Sequence, residues 1–505
     1  MYFLGIDAGT TSLKAILFDE NGNAQAVARE EYALEYPKTN FVEMGSEKYW
    51  NACKLAIAQV LRDSKIEPNH IVSLAISSQG ETFIPIDDEG RPLRKAIVWY
   101  DNRSSKQSDI IRDHFSVRKI FEVTGQNDVV PTWTATKILW MKQNEPQVFK
   151  RVSKYLLVED YLVHRLSNQF ATDYSVICTT MMFDIVKRKW WSEMLDFVGI
   201  TEEQLPRPSP SGVLVGTVSR MASRETGLST KTVIATGALD HAAGAVGIGN
   251  VRPSLISETT GAAMALVAPV KEPFYDPERR IPLQHHATKD GYFLMPWNYT
   301  AGMVLRWFRD NFGELEIEMG KKSRVDPYDI LSSEASKINA GSDGLIVLPH
   351  FAGTAFPEFE PKARGAFFGI TLGHTKGHFT RAIMESVGYM LRRNIECLES
   401  LTNNKWNEIR SIGGGSRSDL WNQMKSDITR KRILTFKVEE AACLGAAILS
   451  GFAQGSISSL EDGARKMNPI RRMYDPQTQN ADVYTKAYGT YLELQNRTRN
   501  LTSTD

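Results

Sequence analysis

Strands and helices alternate along this sequence, which predicts an α/β fold. A short device (strand, small hydroxyl-and-glycine turn, strand) opens the chain at Tyr2–Phe18 and returns at Leu255–Pro269, which predicts two related parts. The 505 residues exceed what one hydrophobic core usually supports, so the parts are read as two domains, 1–248 and 249–505.

The elements follow in order. Tyr2–Ile6 and Leu13–Phe18 are β-rich runs, "DENG" at Asp19–Gly22 is a strong turn signal, and Ala24–Arg29 can return as a third strand. Ser46–Arg62 has helical spacing, with Trp50, Leu55, Ile57, Val60 and Leu61 on one face and Glu47 near the start, where the helix dipole favours an acid. His70–Gly80 reads as a buried strand running into a polar turn, and "FIPIDDEGRP" with "KAIVWYDNR" as strand, turn and strand. Residues 105–230 are expected to be helices with Pro- and Thr-rich loops. Thr232–Gly249 reads as a strand, a polar turn and a small-residue helix that a neighbour can approach closely. In the second half, His378–Leu398 has amphipathic helical spacing, Ile409–Ile428 begins as a strand, and Glu439–Gly451 is a helix that Gly451 is placed to stop.

Composition is that of a globular chain, and a net charge of +1 leaves no global field to draw nucleic acid or an anionic membrane. Cys53, Cys178, Cys397 and Cys443 are too scattered for a metal knuckle or redox pair and too few for a disulfide framework, which points to a reducing compartment. Asp7 interrupts the first apolar run, so no signal peptide or spanning helix is expected. A cytoplasmic protein without nucleic-acid or membrane partners follows, and a homodimer is left open.

The turns carry the chemistry. In "DAGTTSLK", Gly9 allows a tight turn whose N–H groups form an anion-binding concavity, and Thr10, Thr11 and Ser12 add hydroxyl donors. Asp7 at the strand end repels a phosphate unless a cation sits between them, which is the arrangement a Mg²⁺-nucleotide needs. A plain hairpin explains one such turn; the second, "ETTGAA" with Thr259, Thr260 and Gly261, favours the phosphate reading. "GGGSRSDLW" lets backbone lie flat against a ligand, with Ser418 or Asp419 capping the next helix, but it is not the dinucleotide fingerprint. In "ALDHAAG", Asp240 follows a strand and could take a proton from a hydroxyl; helix N-capping is the competing explanation, and neither excludes the other. "SSQGET" and "VWYDNRS" cluster Gln79, Glu81, Asp101 and Arg103 at strand ends with Trp99 as a flat wall for a sugar face.

Those blocks, with "GLIVLPHFAGTAFPEFEPKARGAFFGIT" and "EEAACLGAAILSG", resemble the FGGY carbohydrate kinases, within the actin-like, ribonuclease-H-like ATPases, over nearly the whole chain. The resemblance implies two ribonuclease-H-like domains flanking a cleft, the first for sugar binding and the catalytic base, the second for nucleotide. It implies ATP-dependent phosphorylation of a sugar or polyol, with Mg²⁺. By position it makes Asp240 the catalytic base and Asp7 the carboxylate near the metal. It makes Gly9, Thr10, Thr11, Thr260, Gly261, Gly302, Gly414, Gly415 and Ser418 ATP-binding, and Gln79, Gly80, Glu81, Trp99, Asp101 and Asp240 substrate-binding. "SQGE" stands where xylulose kinases often read Met-His-Gly and glycerol kinases Gln-Arg-Glu-Thr, with Gly80 in place of the arginine. "WYDNR" and "GGGSRS" look more like ketopentose kinases. The expected acceptor is therefore a ketopentose such as xylulose, then glycerol or another polyol. A non-sugar ATPase of the same superfamily and a nucleotide-binding oxidoreductase are the readings from other classes.

Overall fold

The computed structural model describes residues 1–499. The chain forms two compact units. The first gathers Met1–Arg252, Pro269–Leu294 and Glu440–Pro469; the second gathers Pro253–Ala268, Met295–Glu439 and the segment beginning at Ile470.

The first unit is built on one mixed sheet. Tyr2–Ala8 pairs antiparallel with Ser12–Asp19, which pairs antiparallel with Ala24–Glu31. On its other side Tyr2–Ala8 pairs in parallel with Ile71–Ser78, which pairs in parallel with Val233–Ala235. The apolar run of Tyr2–Ala8 is buried on both faces, as expected of a central strand. "DENG" is a turn: Gly22 has φ +76°, and Asp19 Oδ1 accepts from the Asn21 and Asn23 amides.

The helix Ser46–Ser64 covers this sheet through Tyr49, Trp50, Cys53, Ile57 and Val60. Leu55, expected on that face, is exposed: the Trp50–Ile57–Val60 stripe fixes the buried side, and position 55 falls opposite it. "KAIVWYDNR" contributes only the two-residue strand Ala96–Ile97, because its polar tail turns away from the ladder to build the site.

The helix Ala441–Ala453 packs on the same sheet and on the helix Asp240–Gly247, all within the first unit. It runs past Gly451, so Gly451 is not its stop. A Cβ there would lie 2.7 Å from Ile457 Cδ1, and the glycine makes room for packing. Contact with the sheet is tight at Gly5, where a Cβ would lie 1.8 Å from the Cys443 carbonyl oxygen. Backbone cannot yield there, so Gly5→Ala is expected to destabilise the first unit by about 3 kcal/mol, read as a lower midpoint in urea unfolding.

The second unit repeats the topology. Ser257–Thr260 pairs antiparallel with Met264–Val270 and in parallel with Glu408–Ile412, which pairs in parallel with Arg432–Phe436. The long helix Lys376–Thr402 and the helix Asp419–Thr429 pack together in this unit. Among the described residues no helix is long and apolar enough to cross a membrane, and Cys53, Cys178 and Cys443 are buried.

Candidate active site

In the first unit the C-terminal ends of the parallel strands collect the polar residues. Asp7 ends the first strand, and Ser77, its register partner on Ile71–Ser78, donates to Asp7 Oδ1 at 3.0 Å. The turn that follows closes through Gly9 N–H to the Ser12 carbonyl at 3.0 Å. Thr10 Oγ1 donates to Gln79 Oε1 at 3.1 Å and accepts from Trp99 Nε1 at 3.0 Å, while Gln79 Nε2 donates to the Gly9 carbonyl at 3.3 Å. Trp99 and Gln79 thus hold the phosphate-type turn directly, and Thr11 is left exposed.

Asp240 opens the helix Asp240–Gly247; Leu239 is the cap residue, so Asp240 is not the N-cap. Its carboxylate accepts from the His241 amide and from His241 Nδ1, both at 2.7 Å, and its side chain stays 40% exposed. Partial burial alone would raise its pKa, but the His241 charge and these hydrogen bonds outweigh that and hold the carboxylate below its ordinary range. The same pairing raises His241 against the opposing effect of burial. Asp240 is therefore ionised at neutral pH, accessible, and oriented.

Two further carboxylates face it. Asp7 is pushed up to about 7, first by burial and then by the Asp240 charge. Glu81 is also raised, first by burial, with Lys137 pulling it back down and Asp240 adding to the rise. Glu81 sits at φ +54°, a backbone state that costs a non-glycine residue on the order of 1 kcal/mol. Thr179 and Thr134 hold it there: the Glu81 amide donates to Thr179 Oγ1 at 3.1 Å, and Thr134 Oγ1 donates to the Glu81 carbonyl at 3.0 Å. Gly80 is glycine because Thr179 occupies the neighbouring space; a Cβ would lie 2.6 Å from its hydroxyl.

Asp101 lies differently from the expectation of a substrate contact. It is fully buried. Its oxygens accept from Arg103 Nε and Nη2, from the Arg103 amide, and from the Val42 amide at 2.5 Å. Its bonding capacity goes into fixing the Trp99 loop. Lys137, which no local motif marks, completes that frame: its buried ammonium donates to the carbonyls of Val98, Trp99 and Thr132 at 3.0, 2.8 and 2.7 Å.

In the second unit three glycine segments remote in sequence converge. Gly302 N–H donates to the Gly261 carbonyl at 2.9 Å. A Cβ on Gly302 would lie 2.5 Å from the Gly261 carbonyl oxygen, and one on Gly415 would lie 2.7 Å from Thr260 Cγ2. Gly414 has open space, and Ser418 caps the next helix by accepting from the Trp421 amide. Thr260 Oγ1 is spent on Glu258 Oε2 at 2.6 Å, so the turn offers backbone N–H groups rather than this hydroxyl. Beneath it Glu258 pairs with Lys425 Nζ at 2.6 Å, both side chains at 0% exposure. Glu258 opens the "ETTGAA" turn, but nothing local marks its pairing with Lys425, 167 residues further on.

A hairpin with a hydroxyl–glycine turn, carried twice on strands that continue into a parallel sheet, defines a two-domain actin-like ATPase fold. The N-terminal domain of the FGGY family of carbohydrate kinases matches residues 2–247 and its C-terminal domain residues 259–454. The chain belongs to the FGGY family of carbohydrate kinases and is a phosphotransferase with an alcohol group as acceptor. It is 32% identical to a gluconokinase of Bacillus subtilis, with 91% of this chain and 89% of that one covered. It is 30% identical to a xylulose kinase of Staphylococcus epidermidis, with 99% and 97% covered. The structure of a ligand-bound xylulose kinase from Lactobacillus acidophilus superposes with a TM-score of 0.87 at 26% identity, with 98% of each chain covered.

Proposed function

We propose that this kinase transfers the γ-phosphate of ATP to a hydroxyl of an uncharged ketose, a ketopentose such as xylulose first, with Asp240 as the base. The observation that carries this reading is the electrostatic setting of Asp240. It is accessible and ionised, paired with His241, and the carboxyls of Asp7 and Glu81 near it are raised to about 7 and about 8. The Lys137 ammonium is turned away onto three carbonyls. The ionised Asp240 carboxylate repels that of a sugar acid, while a protonated Glu81 can donate to neutral hydroxyls, with Trp99, 37% exposed, for the apolar face of the ring or chain. Gln79, Gly80 and Glu81 complete the acceptor site, and Asp101 supports it from behind.

In this account Asp240 receives the hydroxyl proton as the oxygen attacks the γ-phosphorus, and the bond to the ADP oxygen breaks. Positioning and charge do most of the work. Gly9, Thr10 and Thr11 in the first unit, and Thr260, Gly261, Gly302, Gly414, Gly415 and Ser418 in the second, bind ATP. The protein side fits a hard cation held mainly by water and phosphate: one desolvated carboxylate, Asp7, braced by Ser77, and no cluster of three or more ligating side chains among the described residues. Mg²⁺ bound there supplies charge neutralisation between the phosphates.

The raised Asp7 pKa gives a pH test. A proton on Asp7 competes with the cation below about 7. Mg²⁺ affinity, measured by calorimetry, is expected to tighten roughly tenfold per unit as pH rises toward 7 and to level off above it. Asp7→Asn flattens that profile. An unchanged profile in that variant removes Asp7 from the cation site.

The acceptor is tested by ATP consumption over ketopentoses, ketohexoses, pentitols, tetritols, glycerol and gluconate. The expected ranking places a ketopentose first and gluconate last. Preferential turnover of glycerol or a tetritol makes "SSQGET" the better guide to specificity, and preferential turnover of gluconate overturns the charge argument.

A further inference from the structure

Behind Asp240, on the side away from its exposed carboxylate, lies a second acidic group that the proposed reaction does not touch. Glu159, Asp160 and Asp173 are all buried, and none makes an ion pair among the described residues. Glu159 and Asp160 come from the helix Val158–Ser167, and Asp173 from the strand Ala171–Asp173.

Their hydrogen bonds are divided in a definite way. Asp173 Oδ1 accepts three donors: the Ser175 amide at 2.8 Å, Ser175 Oγ at 2.5 Å and Ser211 Oγ at 2.9 Å. Glu159 Oε1 accepts from the Gly237 amide at 2.7 Å, and Ser175 Oγ accepts from the Leu239 amide at 2.9 Å. The remaining oxygens, Glu159 Oε2 and Asp173 Oδ2, are buried and have no N–H or O–H donor from another group. Gly237 and Leu239 are alternate residues of the segment that delivers Asp240. The Ala238–Leu239 strand pairs with Ser77–Ser78, and Ser77 is the residue that braces Asp7. Gly237 has no slack: a Cβ would lie 1.7 Å from the Ile76 carbonyl oxygen.

We infer that Glu159 and Asp173 share one proton, held on Glu159 Oε2 toward Asp173 Oδ2, and that this neutral–anionic pair is a positioning device for Asp240. The assignment satisfies all four carboxyl oxygens of Glu159 and Asp173. An ionised Asp173 collects its three donors on Oδ1 and the proton on Oδ2. A neutral Glu159 presents its carbonyl oxygen to Gly237 and its hydroxyl to Asp173. Two adjacent buried carboxylates with no cation cannot both ionise. Burial together with the neighbouring Asp173 and Asp160 charges raises Glu159 in the same sense. The pair thereby fixes two amides immediately before the base, through Glu159 directly and through Ser175. A misplacement of the base by about 1 Å is enough to cost on the order of 100-fold in rate.

The inference rests on Asp240 being the base, and Asp240→Asn is run alongside as the control for that reading. Glu159→Ala and Glu159→Gln are compared in the full chain for kcat, for KM of ATP and acceptor, and for amide hydrogen exchange at Gly237 and Leu239. Glutamine reproduces the neutral acid: its carbonyl oxygen faces Gly237 and its NH₂ faces Asp173. The expected result is a kcat at least about tenfold lower in Glu159→Ala with both KM values nearly constant, faster exchange at Gly237, and recovery of both in Glu159→Gln. Loss of kcat in Glu159→Gln equal to that in Glu159→Ala overturns the shared proton, because it shows that an ionised Glu159 is required. Unchanged kcat in Glu159→Ala overturns the positioning role. If Glu159→Ala does not fold, Ser175→Ala, which frees the Leu239 amide and removes one of the three donors to Asp173 Oδ1, takes its place and must show the same fall in kcat with constant KM. Activity retained in Asp240→Asn refutes the base assignment separately, while the exchange rates still report on the pair.

Discussion

Asp240→Asn lowers kcat by about 10³-fold and leaves ATP affinity near the wild-type value. The asparagine retains the shape of the side chain and can still accept from the His241 amide, which Asp240 Oδ1 now does at 2.7 Å. It cannot take the proton of an attacking hydroxyl. Because the ATP-binding segments proposed for each unit do not include Asp240, titration calorimetry with a non-hydrolysable ATP analogue should give a dissociation constant within about twofold of wild type. Turnover by this variant within tenfold of wild type assigns the proton to another group, and His241, Asp7 and Glu81 are the titratable groups within its electrostatic reach. The pH profile of the wild-type protein adds a sign. Asp240 is held below its ordinary range, so the ionised base persists well into the acid region. A rate loss near neutral pH therefore belongs to another group, and Asp7 and Glu81 are both raised into that range.

Lys425→Met lowers the unfolding free energy by about 3–5 kcal/mol, the range for a buried ion pair that loses one partner. Glu258 and Lys425 are wholly buried, and Glu258 also accepts from Ser411 and Thr260. Removing the cation leaves a buried carboxylate with two hydroxyl donors and no charge to match. The Glu258→Gln/Lys425→Met double variant should regain part of the loss, since it removes the orphaned charge. Urea unfolding reads both. The same variant should raise KM for ATP, because Thr260 is tied to Glu258 and Gly413 and Gly415 pack against Thr260. A full stability loss with no change in KM separates the ion pair from the nucleotide turn.

What was legible in the sequence depended on how local the signal was. The turns at Gly9–Thr11 and Thr260–Gly261 were legible as turns because each lies between two apolar strands, and their repetition favours the phosphate reading. The position of Asp240, directly after a strand and at the start of a small-residue helix, was legible. The helix Asp240–Gly247 does pack closely, with the Ala441 carbonyl 2.0 Å from where a Gly247 Cβ would be. Leu55 and Gly451 were misread for related reasons. Helical spacing does not settle which stripe is buried when apolar residues are spread around the helix, and a glycine that makes room for a neighbour looks the same in sequence as one that ends a helix. Asp101 was found as part of the site, yet its buried bidentate pairing with Arg103 makes it a frame residue. Lys137, Glu258, Lys425, Glu159 and Asp173 were not legible. Each acts through partners brought to it only by folding; even Glu258, which opens the "ETTGAA" turn, shows nothing there of its pairing with Lys425.

The central claim is that phosphate goes to a sugar hydroxyl and not to water. The most direct measurement is the phosphorus NMR spectrum of a reaction containing the purified protein, Mg²⁺-ATP and xylulose, compared with the same mixture lacking sugar. The account predicts a sugar phosphate ester growing in equal amount with ADP, and almost no ADP without the sugar. Equal amounts of ADP and inorganic phosphate in both mixtures would contradict it and place this chain among the ATPases that share the fold without the kinase chemistry.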